Sequence, residues 1–232
     1  MDPSTPQQDA AFPRSLRGKF IVFEGPDGSG KTTQFKRFLA YCAEHGVTVC
    51  EVREPGGTPI GEEIRQILLH TKQEMCLRTE MLLYMASRAQ LIEQRIRPAL
   101  ARGELVLADR FIQSTYAYQG AAGGIPETEI RAVGGVALGG LEPHRVLIFD
   151  VDAATAAKRT RGVEKAGRKK AAEPAGASLF DDRIEQRTTA DTHSTIRRSY
   201  LDQAEANPAA FRVIDASKDP ESVWAALLGA LA

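Results

Sequence analysis

The sequence predicts a three-layer α/β fold, a five-stranded parallel sheet with helices on both faces. Short apolar runs alternate with stretches of helical pattern along most of the chain, which is how strand–helix–strand units read. The runs are rich in Val, Ile, Leu and Phe and mostly lack polar alternation, as strands buried on both faces do. A glycine-rich stretch, GPDGSGKTT at 25–33, sits directly behind the first run, where a strand turns into a helix.

The elements follow in order. KFIVFE (19–24) is the first strand, and the helix after its glycine loop covers about 31–45. VTVCEVR (47–53) is the second strand, with helices predicted at 60–70 and 79–101. LVLAD (105–109) is the third, then a helix at 126–138. RVLIFDV (145–151) is the fourth, with helices at 153–161 and 184–206. FRVID (211–215) and a helix at 219–231 close the chain.

A chain of 232 residues is long enough for one such domain with a substantial core. Thirty basic and thirty acidic side chains cancel, so global charge argues for neither nucleic acid nor an anionic membrane as partner. No apolar run approaches the ~20 residues that span a bilayer. The first 17 residues lack the apolar core of a secretory signal and read as a disordered leader, with the folded domain over 18–232. Cys42, Cys50 and Cys76 have no metal or disulfide spacing, which predicts buried free thiols in a reducing cytoplasm. One segment stands apart. RGVEKAGRKKAAEPAGASLF (161–180) has no apolar periodicity, and from Lys158 to Lys170 seven basic residues face one acidic residue, Glu164, as in a long solvated loop.

The glycine stretch fits the phosphate-cradling loop Gly-x-x-x-x-Gly-Lys-Thr. Its glycines let successive N–H groups point at an anion, and the following helix adds the positive end of its dipole. Gly25, Pro26, Asp27, Gly28, Ser29, Gly30, Lys31, Thr32 and Thr33 are therefore candidate ATP-binding residues. Lys31 reaches the β- and γ-phosphates in such loops, and Thr32 ligates Mg²⁺. Asp109, ending the third strand, approaches the same metal, and Arg110 offers a bidentate grip on phosphate.

A guanine-specific switch needs Asn-Lys-x-Asp, and the single asparagine, Asn207, lies in EANPAA. An ATP-driven motor usually needs a larger body or a partner ring, so at this size a small kinase leads. Its acceptor belongs at the C-terminal ends of other strands. REPGGTP (53–59), YMASR (84–88) and DRFIQSTYAYQG (109–120) qualify. Tyr84 and Arg88 lie one helical turn apart, suited to stacking a base and bonding its carbonyl, although a core Tyr and a surface Arg are the plainer reading of that pair alone.

GPDGSGKT, REPGGT, the Tyr84–Arg88 segment, DRFIQSTYAYQG and DRIE (182–185) together resemble bacterial thymidylate kinase, in order and spacing, over about 18–231. The resemblance implies ATP-dependent phosphorylation of dTMP to dTDP with Mg²⁺, on a P-loop kinase fold that usually forms a homodimer. It implies that Arg88 and Gln119 bond the thymine edge and Tyr84 stacks on the ring. Ser114, Thr115 and Tyr118 would line base and sugar, Asp27 would meet the 3′-hydroxyl, and Arg53, Pro55, Arg65 and Arg110 complete the dTMP site. With no basic residue at 26–29, the catalytic arginine would come from a lid over about 159–183. Arg159 matches the adenine-stacking position, while Arg161 leads Arg168 and Arg183 for catalysis. This lid is longer than the family's, and Thr192 stands where relatives often carry an aromatic. DASKDP (215–220) would close over the adenine edge. A kinase for another nucleotide or nucleoside, or a non-catalytic ATP-binding protein, are the competing classes.

Overall fold

The computed structural model describes residues 12–160 and 189–232. The five strands are β1 (Phe20–Glu24), β2 (Val49–Arg53), β3 (Leu105–Asp109), β4 (Arg145–Asp150) and β5 (Phe211–Asp215). All pair in parallel, in the order β2-β3-β1-β4-β5. The predicted strands are all present. β2 is shorter at its start than the run 47–53 suggested, and the two edge strands are half exposed, unlike the central three.

Side chains alternate across a strand, and here each face has its own core. Phe20 and Val22 of β1 join Val106, Ala108, Val146 and Ile148 on one face. Ile21 and Phe23 join Leu105, Leu107, Leu147 and Phe149 on the other. The second face is covered by α1 (Lys31–Glu44), through Phe35, Phe38 and Cys42, and by the C-terminal helix (Pro220–Leu231), through Val223 and Leu227.

The first face carries more. α2 (Pro59–His70) starts on a capped end, where Thr58 Oγ1 accepts from Gly61 N at 3.0 Å. α3 (Leu77–Leu91) packs on it and runs through a π-helical turn (Ile92–Ile96) into α4 (Arg97–Ala101), so the single helix expected at 79–101 starts earlier and is widened inside. A short α5 (Ile112–Thr115) leads into a second π-helical turn, Tyr116–Ala122. No helix was expected there. Four α-helical residues are too few to show periodicity, and π turns recur at functional sites. α6 (Glu127–Leu138), α7 (153–160), α8 (Ala190–Ala206) and α9 (Pro220–Leu231) complete the set.

Two other expectations change. Part of the segment read as a leader is built into the fold: Pro13–Leu16 form a 3₁₀ turn with Leu16 in the core, and Arg17 Nη2 donates to Gly46 O at 3.0 Å. Cys42 and Cys50 are buried free thiols as expected, but Cys76 is exposed, because it lies on the loop entering α3.

Register sets the site. Phe23 of β1 lies beside Asp109 of β3, which lies beside Arg53 of β2. The segments after these strands, Gly25 onward, Arg110 onward and Glu54 onward, therefore emerge side by side from one edge of the sheet. β1 is flanked by β3 and β4, and it is at such crossover points that open parallel sheets bind ligands.

Candidate active site

The phosphate loop needs its glycines. Gly25 and Gly28 have φ of 143° and 77°, and a Cβ on them would stand 2.6 Å from Phe149 O and 2.5 Å from Ala156 O. Only a residue without a side chain fits both demands. α1 then begins at Lys31, with its N-terminus facing the loop.

Two hollows meet at this loop. One, about 740 Å³, runs along Pro26–Gln34 to Arg159, Thr160 and the segment Ala216–Pro220. The other, about 180 Å³, is enclosed by the segments after β1, β2 and β3 and by α3. Asp27, Gly28, Lys31 and Thr32 line both. A larger groove, about 1150 Å³, lies between α5, α6 and α8 and includes none of the expected site residues.

The smaller hollow contains every residue expected for dTMP: Asp27, Arg53, Pro55, Arg65, Tyr84, Arg88, Arg110, Ser114, Thr115, Tyr118 and Gln119. Arg88, whose plainer reading was a surface side chain, is 1% exposed. Its Nε donates to Glu54 Oε2 at 2.9 Å, and its Nη2 donates to Thr115 Oγ1 at 3.3 Å. Burial pushes the Glu54 carboxyl up to about 7 against the pull of Arg88. Arg53 reaches Glu62 Oε2 at 3.3 Å, and Arg65 Nη1 donates to Pro55 O at 2.9 Å.

Arg110 has φ of 72°, the only positive value at a described non-glycine residue. Such a backbone is disfavoured by roughly 1–3 kcal/mol and persists where the surroundings enforce it. Here they do. Arg110 N donates to Phe23 O at 3.0 Å, and the guanidinium pairs with Asp27 and donates to Ser114 Oγ at 3.2 Å. Burial works against the Arg110 charge, but Asp27, together with Tyr118, Tyr200 and Glu24 around it, outweighs it, and the group is held protonated. Tyr118 OH donates to the other Asp27 oxygen at 3.1 Å.

Lys31 pairs with Asp109. Burial raises the Asp109 carboxyl, but Lys31, Arg110 and Arg53 pull it below its ordinary value, so it is ionised at neutral pH. Thr32 and Asp109 line the same cavity and offer the hydroxyl and carboxylate oxygens a hard divalent cation takes. Among the described residues no three His, Cys, Asp or Glu converge, so a Mg²⁺ here would draw further ligands from phosphates and water. No His lines either hollow.

The sequence profile of thymidylate kinase matches residues 23–226. The chain belongs to the thymidylate kinase family. It is 42% identical over 205 residues to a thymidylate kinase of Symbiobacterium thermophilum, covering 88% of each chain. It is 41% identical to one of Bifidobacterium longum (91% of this chain, 96% of the relative) and 40% identical to one of Deinococcus radiodurans (91% and 97%).

Measured against the resemblance to that family, the larger hollow takes Pro26, Ser29, Gly30, Thr33 and Arg159 besides the shared loop residues. Gly25 is buried at the base of the loop and lines neither hollow. Arg161, Arg168 and Arg183, with the lid they belong to, lie outside the described residues. Sequence reasoning missed the residues that hold this site in shape. Glu24 is fully buried and accepts from Phe111 N (2.7 Å), Ser114 Oγ (2.7 Å) and Tyr200 OH (3.0 Å). Burial raises its carboxyl, with Arg110 opposing. Glu54 and Glu80 do similar work for Arg88 and Gln119. The available signal was an acidic residue at or just past a strand's end (Glu24, Glu54), or one turn before Tyr84 on one helix face (Glu80).

Proposed function

We propose that the protein phosphorylates dTMP to dTDP with ATP, holding ATP in the larger hollow and dTMP in the smaller. The observation that carries this is the shared wall: two cavities whose linings differ except at Asp27, Gly28, Lys31 and Thr32 meet there, where a donor and an acceptor phosphate would face each other.

The acceptor is itself a phosphate with a second pKa of about 6, so it is largely ionised at pH 7 and needs no general base. The difficulty is repulsion. One like-charge pair at 4 Å is worth about 4 kcal/mol at an effective dielectric of 20. Lys31 at the meeting point, with Arg110, Arg53 and Arg65 on the wall of the smaller hollow, would offset it. Lys31 and Arg110 are each paired with a carboxylate, Asp109 and Asp27, which holds them in position before substrate arrives. Mg²⁺ on Thr32 and Asp109 would neutralise phosphate charge when bound. Arg88 and Gln119 would take the thymine edge, with Tyr84 against the ring. A lid arginine, Arg161 first among the candidates, would reach the transferred group.

A homodimer accompanies this reading. Four large apolar side chains are exposed on three helices packed side by side: Ile60 and Ile67 of α2, Leu82 of α3 and Val136 of α6. The three unpaired cysteines suit a reducing cytoplasm, and no described helix is long and apolar enough to cross a membrane. The test is ADP release with ATP and Mg²⁺ against dTMP, dUMP, dCMP, dGMP, AMP and thymidine. A rate dominated by dTMP is expected. Preference for AMP or thymidine would overturn the acceptor, and no turnover with ATP still bound would overturn the catalysis.

A further inference from the structure

We propose that Glu80 sets which pyrimidine the acceptor cavity takes, by fixing the side-chain amide of Gln119. Glu80, Tyr84 and Arg88 are spaced at i, i+4 and i+8 on α3 and so share one face of the helix. Glu80 and Gln119 are both 3% exposed, and Gln119 Nε2 donates to Glu80 Oε1 at 2.9 Å.

In that bond Glu80 Oε1 is the acceptor and the amide nitrogen the donor. The Gln119 amide must therefore turn its NH₂ toward Glu80 and its carbonyl oxygen away. Gln119 lines the acceptor cavity, and its Oε1 makes no hydrogen bond among the described residues. Unlike the Oε1 atoms of Gln34 and Gln113, it is not sealed off, so it stands open to the cavity as an acceptor. Arg88, on the same wall, supplies only donors.

The wall thus presents a donor beside an acceptor. A 4-keto pyrimidine offers the complement, O4 as acceptor and N3–H as donor. A 4-amino pyrimidine offers the reverse at both atoms, leaving buried polar groups unmatched, the most costly kind of misfit. A Gln119 freed from Glu80 can rotate its amide by half a turn and accept either base at N3. The inference rests on thymine docking against Arg88 and Gln119, and adds Glu80 as the positioning residue behind that choice.

The test uses the full chain and the variant Glu80→Gln, which keeps shape but can donate or accept. kcat and KM are measured for dTMP and dCMP at saturating ATP, with dCMP read as an inhibition constant against dTMP where its turnover is undetectable. The dTMP-to-dCMP preference is expected to fall tenfold or more, mainly through KM, while KM for ATP stays unchanged. A Glu80 that merely supports α3 would lower both substrates alike, and an unchanged preference in an active enzyme overturns the inference. If Glu80→Gln does not fold, Glu80→Asp, one methylene shorter, is held to the same criterion. A wild type inactive on dTMP is a distinct result, which overturns the acceptor reading itself and Glu80's role with it.

Discussion

The two hollows that share Lys31 are made from different parts of the chain. The donor side is largely main chain: the curled loop, the helix N-terminus behind it, and a far wall where Arg159 is held by the carbonyls of Ala216, Ser217 and Lys218. The acceptor side is made of charged and polar side chains, each already held by another: Arg88 by Glu54, Gln119 by Glu80, Arg110 by Asp27, Ser114 by Glu24. A wall of backbone groups grips phosphate whatever base is attached, whereas a wall of paired side chains discriminates. Donor nucleotide should therefore be exchanged more freely than acceptor.

The largest effect should come from the residue at the junction that belongs to the acceptor side. Arg110→Ala removes a preorganised cation, and loss of one such charge-stabilising group lowers kcat by about 10²–10³. Binding of a non-hydrolysable ATP analogue, followed by calorimetry, should be nearly unchanged, since Arg110 lines only the smaller hollow. Equal loss of ATP affinity would break the division between the two sides.

Next is the buried pair. Glu54→Ala leaves Arg88 charged, buried and without its partner, which costs about 3–5 kcal/mol of stability. Replacing both with apolar residues of similar volume, Glu54→Leu with Arg88→Met, should recover most of that loss in urea unfolding, because breaking a buried pair is worse than removing it. The double variant should still bind ATP and fail to bind dTMP. Retained dTMP binding would show that Arg88 is structural and that base recognition lies elsewhere.

The same division governs what could be read from the sequence. A backbone-built site has a local code: Gly25, Gly28, Gly30, Lys31 and Thr32 sit at fixed spacing because curling the chain around phosphate requires it. The sheet was legible for a related reason, since runs such as FIVF and LVLA report burial directly. The acceptor wall has no such code. Arg88 read as a surface residue because its partner, Glu54, lies 34 positions away on another segment. Gln119 could be placed only through resemblance, and Glu80 and Glu24 not at all. Their roles arise from the register of β1, β2 and β3 and from the π-helical turn that carries Gln119, neither of which leaves a periodic trace.

The smallest expected effect sharpens the comparison from the donor side. Arg159 Nη1 donates to Ala216 O at 2.8 Å, and its remaining bonds, to Ser29, Ser217 and Lys218 carbonyls, are long at 3.4 Å. It clasps α7 to the segment after β5, across the mouth where adenine would lie. Each neutral-acceptor bond of this kind contributes about 1 kcal/mol or less once water competes. Arg159→Ala should therefore raise KM for ATP by about tenfold and leave KM for dTMP and kcat close to wild type. A collapse in kcat would mean that the Arg159 guanidinium reaches the transferred phosphoryl group itself. The donor side would then depend on a side chain as strictly as the acceptor side does, and the contrast between the two hollows would hold for recognition but not for catalysis.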